Sequence, residues 1–169
     1  MRNRSSGQSG NSLIEFTLVG IPLIFVLIST FEMARGMWLY HTLAYSVKEG
    51  CRYASVHGQN CATLPNSCSV NIGQIARNIR SAGLGLEGSR LNLTFTDNSG
   101  TALSCAMNDC LSSNITWPPG SANTPGMTIT VSATYSFQSA IAMFWPGASR
   151  QGPVAAVNLP ASSSERIKF

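Results

Sequence analysis

Residues 10–31 read GNSLIEFTLVGIPLIFVLISTF, and this stretch decides the fold. Its sixteen positions from Phe16 to Phe31 carry no charged side chain. The preceding residues, 1–10, contain two arginines and no acid, which is typical of a membrane segment whose basic side stays in the cytoplasm. The uncharged run covers about 24 Å as a helix, so residues on either side must help to cross a hydrocarbon core of about 30 Å. The sequence therefore predicts a membrane-spanning helix over 11–32.

Glu15 is the one acid within this apolar stretch. A carboxylate costs about 2.5–3.5 kcal/mol at the middle of a bilayer and less toward the interface. The positive N-terminal end of the helix lowers that cost further. The place of Glu15 at the start of the helix therefore limits the penalty for burying its charge.

Three interpretations of the N-terminal segment compete. A cleaved secretory signal needs a small-residue cleavage site after its apolar core, and residues 29–34 offer none. A plain signal anchor explains the basic start and the apolar run, but not the spacing from Gly10 to the acidic-aromatic pair Glu15-Phe16. In the third interpretation, Gly10 ends a leader that is removed on the cytoplasmic side, and the helix is retained.

The residues from Gly10 to Phe16, followed by an apolar run, resemble the processing site of the TadE/TadF-like pseudopilins. These are minor components of the tight-adherence (Tad, or Flp) type IV pilus system. The later segment KEGCRYA, residues 48–54, is similar to the Gly-x-Arg-Tyr-Ala segment that commonly ends the first helix of TadE-like proteins. Two positions depart from the pattern: Pro22 lies within the apolar helix, and Cys51 stands where a small residue is more usual.

The resemblance implies that a prepilin peptidase cuts between Gly10 and Asn11, with Glu15 and Phe16 completing the processing site. The new amino group on Asn11 would then lie four residues from Glu15. Lipid screens opposite charges poorly, so we expect Glu15 to pair with a mature N-terminal amine, its own or a neighbour's, and to set the subunit's register during assembly. The alternative is a carboxylate held at the lipid interface.

The same resemblance divides the chain into a basic leader, 1–10, a transmembrane helix, 11–32, and an exported pilin-like domain, 33–169. The implied partners are prepilin peptidase, other Tad/Flp pilins, pilus assembly proteins and membrane lipid. The implied location is the bacterial inner membrane, crossed once, with the C-terminal domain periplasmic or extracellular. The resemblance leaves open whether the protein is incorporated into the pilus and whether it lies at the base or the tip. It also leaves open whether the protein is of the TadE or the TadF type.

The exported part begins as a continuation of the first helix. Its apolar side chains recur at spacings of four and three from Met33 to Ala54, which places them on one helical face and extends the helix to about Ser55. A second, short helix follows a predicted capping box of Asn71 and Gln74 and ends near Gly83.

Alternating apolar and polar side chains predict strands in the remainder of the chain. Residues 91–96 and 101–106 form a hairpin around a turn at 97–100, and residues 127–137 give the clearest strand pattern. Residues 154–159 and 167–169 predict a final strand interrupted at Pro160. The predicted fold class is therefore α+β: a long N-terminal helix, half transmembrane and half exported, a second short helix and a small antiparallel sheet.

All cysteines follow the apolar stretch, and disulfides persist in the oxidising compartment to which they would be exported. The candidates are Cys51, Cys61, Cys68, Cys105 and Cys110. The local pairs Cys61–Cys68 and Cys105–Cys110 would close short loops and leave Cys51 free on a helix, with Cys105–Cys110 favoured. Together with His57, the first three cysteines lack the Cys-x-x-Cys spacing of structural zinc sites, so no metal site or cofactor is predicted.

Composition argues against two other classes of function. The net charge is +4, but eleven basic residues include Arg2 and Arg4 of the leader, which leaves nine against seven acidic residues. These nine form no basic cluster, so no nucleic acid is expected as a partner. None of the spaced catalytic signatures occurs, so no enzyme is predicted.

Two structural hypotheses follow. In the first, the protein is a minor pilin or pseudopilin that enters or primes a Tad-type filament through its N-terminal helix. In the second, it is a stand-alone single-pass envelope protein that binds a surface ligand. Trp117 and the pair Phe144-Trp145 are candidates either for exposed contacts in an assembly or, more in keeping with their size, for covering a small core.

Overall fold

A computed structural model describes residues 9–57, 70–139 and 156–168. The elements are α1 (Ser9–Val56), α2 (Ile72–Ala82), β1 (Leu91–Thr96), β2 (Ala102–Ala106), α3 (Met107–Ser112), β3 (Thr128–Gln138) and β4 (Ala156–Arg166). Short 3₁₀ turns precede β1 and β3, at Gly88–Arg90 and Gly120–Ala122. The predicted α+β fold, with one long helix, a short helix and an antiparallel sheet, is confirmed.

Helix α1 contains 48 residues and is about 72 Å long at the usual helical rise. Pro22 lies inside it without ending it. The predicted apolar face is buried only at its far end, where Val47, Cys51 and Ala54 are inaccessible to solvent. Met33 and Met37 on the same face are exposed, because they border a groove beside the ends of β3 and β4 and are not covered by these strands.

The predicted capping box starts α2. The Asn71 side chain accepts a 2.8 Å hydrogen bond from the backbone N–H of Gln74, and the Gln74 side chain accepts a 3.1 Å bond from the backbone N–H of Asn71. The helix ends at Ala82, with Gly83 as its C-cap, as the sequence indicates. Because these bonds satisfy two N–H groups that the helix leaves open, they fix where α2 begins.

The sheet has four antiparallel strands in the order β2-β1-β3-β4. The hairpin turn between β1 and β2 is held by the carboxylate of Asp97, which accepts 2.9 Å hydrogen bonds from the backbone N–H groups of Ser99 and Thr101. The Ser99 hydroxyl also donates a hydrogen bond to this carboxylate. All of these hydrogen bonds lower the pKa of Asp97, and the one from the hydroxyl has the largest effect. Gly100 completes the turn at φ +82°, a conformation that favours glycine.

The final strand differs from the sequence-based expectation. It is continuous from Ala156 to Arg166 and includes Pro160, which pairs with Thr134 of β3. Proline cannot donate to a neighbouring strand, so it fits a sheet only where the missing N–H would point away from the partner. Among the described strands β4 lies at an edge of the sheet and so allows this. The predicted break at Pro160 is wrong.

The inner face of the sheet, α2 and the far half of α1 enclose one apolar core. Its largest fully buried side chains include Phe95, Leu43, Ile72, Ile75, Ile79, Leu93, Met107 and Ile129. Trp117 is also buried and meets Phe95 edge to face at 5.3 Å between ring centroids. It therefore covers the core and is not an exposed contact. Phe144 and Trp145 lie outside the described residues.

Candidate functional site: the first helix and its junction with the sheet

The apolar stretch of α1 is not buried against any part of the protein that the structure describes. The helix is long and apolar enough to cross a membrane, and none of its most apolar stretch is buried in the protein. Large side chains such as Phe16 and Phe31 expose 78% and 72% of their surface. The apolar core helix of a soluble domain would instead be buried, so this half of α1 fits single-pass membrane anchoring.

The residues predicted for processing lie together at the start of this helix. Gly10 and Asn11 fall in the first turn of α1, and Glu15 and Phe16 follow on the same helix, both exposed. Asn11 and Glu15 are four residues apart, which places them on one face with about 6 Å of rise between them. The geometry allows contact between Glu15 and a new amino group on Asn11, while the processing and assembly roles stay predictions.

A polar brace joins α1 to the end of β3, just after the apolar run. The Arg35 guanidinium donates a hydrogen bond to the backbone carbonyl of Gln138 and lies over the Phe137 ring, 4.8 Å from its centroid. It also approaches a carboxylate oxygen of Glu32 at 3.5 Å. Glu32 is 8% exposed. Arg35 thus ties the end of β3 to one level of the helix through two kinds of contact, a hydrogen bond and a cation–π contact.

Further along, α1 and α2 approach closely at Gly50. A Cβ added there would lie 2.3 Å from Cγ1 and 2.8 Å from Cδ1 of Ile79, whose side chain is fully buried. No side chain fits in this space without movement of the core. Gly50 is therefore the contact point that lets the second helix lie against the first.

The neighbouring Cys51 is the free cysteine among the described residues, and it is fully buried. Its Sγ lies 3.8 Å from the backbone carbonyl oxygen of Ile129 on β3. Burial raises the pKa of the thiol from 9.0 to about 11, because the charged thiolate is poorly solvated there. The side chain therefore acts as a small apolar group, packed between helix and sheet, with little nucleophilic character.

Comparison with known families agrees with this geometry. Residues 10–52 match the family model described as TadE-like protein, and the matched segment lies wholly within α1. The first helix therefore carries a TadE-like segment. No curated protein and no solved structure matches the chain. The family consists of structural components of the Tad pilus system.

The TadE-like match contains both halves of the first helix: the exposed apolar start and the buried end that carries Gly50 and Cys51. The structure thus gives the predicted Gly-x-Arg-Tyr-Ala segment a physical role, since its glycine admits α2 and Ala54 is fully buried in the core. Among the residues that the structure describes, no three His, Cys, Asp or Glu side chains group as a metal site. His57 is bonded instead to the Tyr53 carbonyl, 2.8 Å from its Nδ1.

The structure contains the favoured disulfide, Cys105–Cys110, which joins the end of β2 to α3. Cys61 and Cys68 lie outside the described residues. We expect peptide mapping of the non-reduced protein to find Cys105 linked to Cys110. Iodoacetamide should leave Cys51 of the folded protein unlabelled at pH 8 and label it after denaturation, because the native thiol is both buried and protonated.

Either of two results would contradict this assignment of the cysteines. One is a labelled Cys105 or Cys110 in protein taken from the envelope, and the other is rapid native labelling of Cys51. A portion of the same sample that is labelled without denaturation is the matched control.

Sequence reasoning missed the brace at Arg35. The signal available was the pair Glu32 and Arg35, spaced i, i+3 directly after the uncharged run. Its partners Phe137 and Gln138 lie about a hundred positions away in the chain, the bonded carbonyl being 103 residues from Arg35. The sequence gives no sign of that contact.

Proposed function

We propose that this protein is a minor pilin or pseudopilin, a structural subunit that joins the assembly of a Tad (Flp) pilus through its first helix. The observation that carries the proposal is the coincidence of the family match with α1. Residues 10–52 join a lipid-compatible half that no described residue buries to a half that packs into the core of a folded domain. One rigid helix can thus connect a membrane, or the interior of a filament, to a domain outside.

In this proposal the chain is processed between Gly10 and Asn11 by a prepilin peptidase. Residues 11–32 then span the bacterial inner membrane, and 33–169 form the exported domain. Support comes from the match, which begins at residue 10, and from the position of Gly10 in the first turn of α1. The first N–H groups of a helix have no partner within it, so this turn opens for a protease at little cost.

The direction of insertion follows from charge and chemistry. Two arginines precede Gly10, and the arginine-rich side of a membrane segment stays in the cytoplasm. The Cys105–Cys110 disulfide belongs to the domain that follows the membrane span. Export of this domain to an oxidising compartment would maintain the disulfide. We assign the protein no catalytic role, in keeping with the structural role of its family.

The mature N-terminus tests the proposal. Intact-mass and N-terminal peptide analysis of protein recovered from membranes should show Asn11 as the first residue. That result requires that the leader is removed after Gly10 and that the apolar helix stays in the mature protein. Retention of Met1 would instead favour the stand-alone membrane-anchored binding protein, and a start beyond Phe31 would show an ordinary secretory signal.

A further inference from the structure

An apolar surface lies where the exported domain meets the proposed membrane span. It borders a groove between α1, the end of β3 and the start of β4. We call its apolar residues the rim: Met33, Met37, Tyr40, Phe137, Val157 and Leu159. Met33, Met37 and Val157 expose 72%, 62% and 56% of their surface, so much of this apolar surface is uncovered.

The rim lies close to the expected edge of the hydrocarbon. A helix crosses about 30 Å of hydrocarbon in about 20 residues, so a span that begins near Leu13 ends near Glu32. The strand ends sit at the level of Gly36, where an added Cβ would lie 3.7 Å from the Phe137 ring. Four residues of helix separate Glu32 from Gly36, or about 6 Å, which is within the depth of a headgroup layer.

Two aromatic side chains, one on the rim and one off it, lie near this depth on α1. Trp38 and Tyr40 follow Glu32 by about 9 and 12 Å of helix and are 65% and 44% exposed. They are two positions apart, so they point to different sides of the helix. Tryptophan and tyrosine favour the membrane interface because they have an apolar ring and a polar group. Aromatic groups on different sides of a helix near one level are more typical of a bilayer surface than of contact with a single protein partner.

Charge at this level favours contact with lipid of any headgroup. The charged side chains beside the rim in the described chain are Glu32 and Arg35, of opposite sign and 3.5 Å apart. They neutralise each other, so no cluster of positive charge selects an anionic lipid. The attraction is the burial of exposed methionine, valine and aromatic surface, which is roughly proportional to apolar area.

We propose that the rim docks the exported domain onto the outer leaflet of the membrane that α1 spans, with Met33, Met37 and Val157 in contact with lipid. The inference rests on the proposed membrane span and adds a second membrane contact, made by the folded domain itself. The Arg35 brace holds the end of β3, and with it the strand paired to it, at the depth where this contact forms. In the membrane the domain thus has a fixed height and tilt, and leaving the bilayer requires release of the rim as well as the helix.

Site-specific photocrosslinking of the full chain tests the docking surface. A benzophenone amino acid would replace Val157 on the rim, Ile24 within the proposed span, or Ser164 on the same strand as Val157. Ser164 is a matched distal control: its hydroxyl bonds the Ile129 carbonyl at the level of Cys51, about 20 Å farther along α1. The protein would be reconstituted in vesicles of phosphatidylcholine alone and of phosphatidylcholine mixed with phosphatidylglycerol.

We expect lipid adducts at Val157 within about threefold of the yield at Ile24 and about tenfold above that at Ser164, in both kinds of vesicle. Adducts at Ile24 with only the Ser164 level at Val157 would overturn rim docking and leave the membrane span standing. Protein-to-protein adducts at Val157 would overturn it in favour of a second copy on the rim. Absence of adducts at Ile24 would reject the span and the docking together.

Discussion

Gly50→Ala should destabilise the protein by about 1–3 kcal/mol, the usual cost of overpacking a well-filled core. The added Cβ would lie 2.3 Å from Cγ1 of Ile79, a distance that real atoms do not tolerate. Ile79 is fully buried in the core, so its movement would disturb the packing around it. The clash outweighs the roughly 1 kcal/mol that alanine gains over glycine in a helix interior. Urea unfolding of the full chain in detergent, followed by circular dichroism, measures the loss.

Gly36→Ala is the matched control because it makes the same change on the same helix. Its Cβ would meet the Phe137 ring at 3.7 Å, an ordinary contact. It should therefore keep the stability or raise it by up to about 1 kcal/mol. Gly50→Ala and Ile79→Ala combined should cost less than the sum of the two single changes, since the residues touch. Equal stability of the two glycine variants would refute the close approach of α1 and α2.

Glu15→Gln should leave export and cleavage intact but lower co-purification with pilus components by about tenfold. Glutamine keeps the size of the side chain and removes the charge that would pair with the amino group of Asn11. A hydrogen bond to a charged group contributes about 1.5–3 kcal/mol, and about 1.4 kcal/mol corresponds to a tenfold change in an equilibrium. The measurement is quantitative mass spectrometry of affinity-purified protein, alongside the mass of its N-terminus.

Glu49→Gln supplies the control, because it removes the same charge from α1 beyond the proposed membrane span. Its assembly should equal that of the wild type. If Glu15→Gln protein is processed and assembles at that level too, Glu15 has no pairing role and is a carboxylate at the lipid interface. Loss of cleavage in Glu15→Gln would instead assign the residue to recognition by the peptidase.

Much of this fold could be predicted because its signals are local. The capping box of Asn71 and Gln74 needs only a spacing of three, and the alternation in β3 extends over eleven residues. Helix α3 was missed because six residues are too few to show helical periodicity. The continuity of β4 through Pro160 depends on its edge position, which the order of strands decides and the sequence does not state.

The features of the candidate site also divide into those that the sequence could predict and those that it could not. The apolar run, Glu15 and the family pattern are contiguous in sequence, so they could be identified before the fold was known. The brace at Arg35 depends on a strand end about a hundred residues later in the chain. The exposure of Met33 and Met37 depends on how far down α1 the sheet reaches. Periodicity finds the face of a helix, but only the tertiary structure determines how much of that face is covered.

Pro160 also bears on how copies of the protein behave together. Among the described strands β4 ends the sheet, and such a strand edge of eleven residues can template pairing with the same edge of another molecule and lead to aggregation. Confinement to a membrane plane would bring such edges together often. A proline near the middle of the strand removes one donor from the exposed row and interrupts the template. Neighbouring copies are thereby discouraged from fusing sheet to sheet, and their helices stay free to make the ordered contacts.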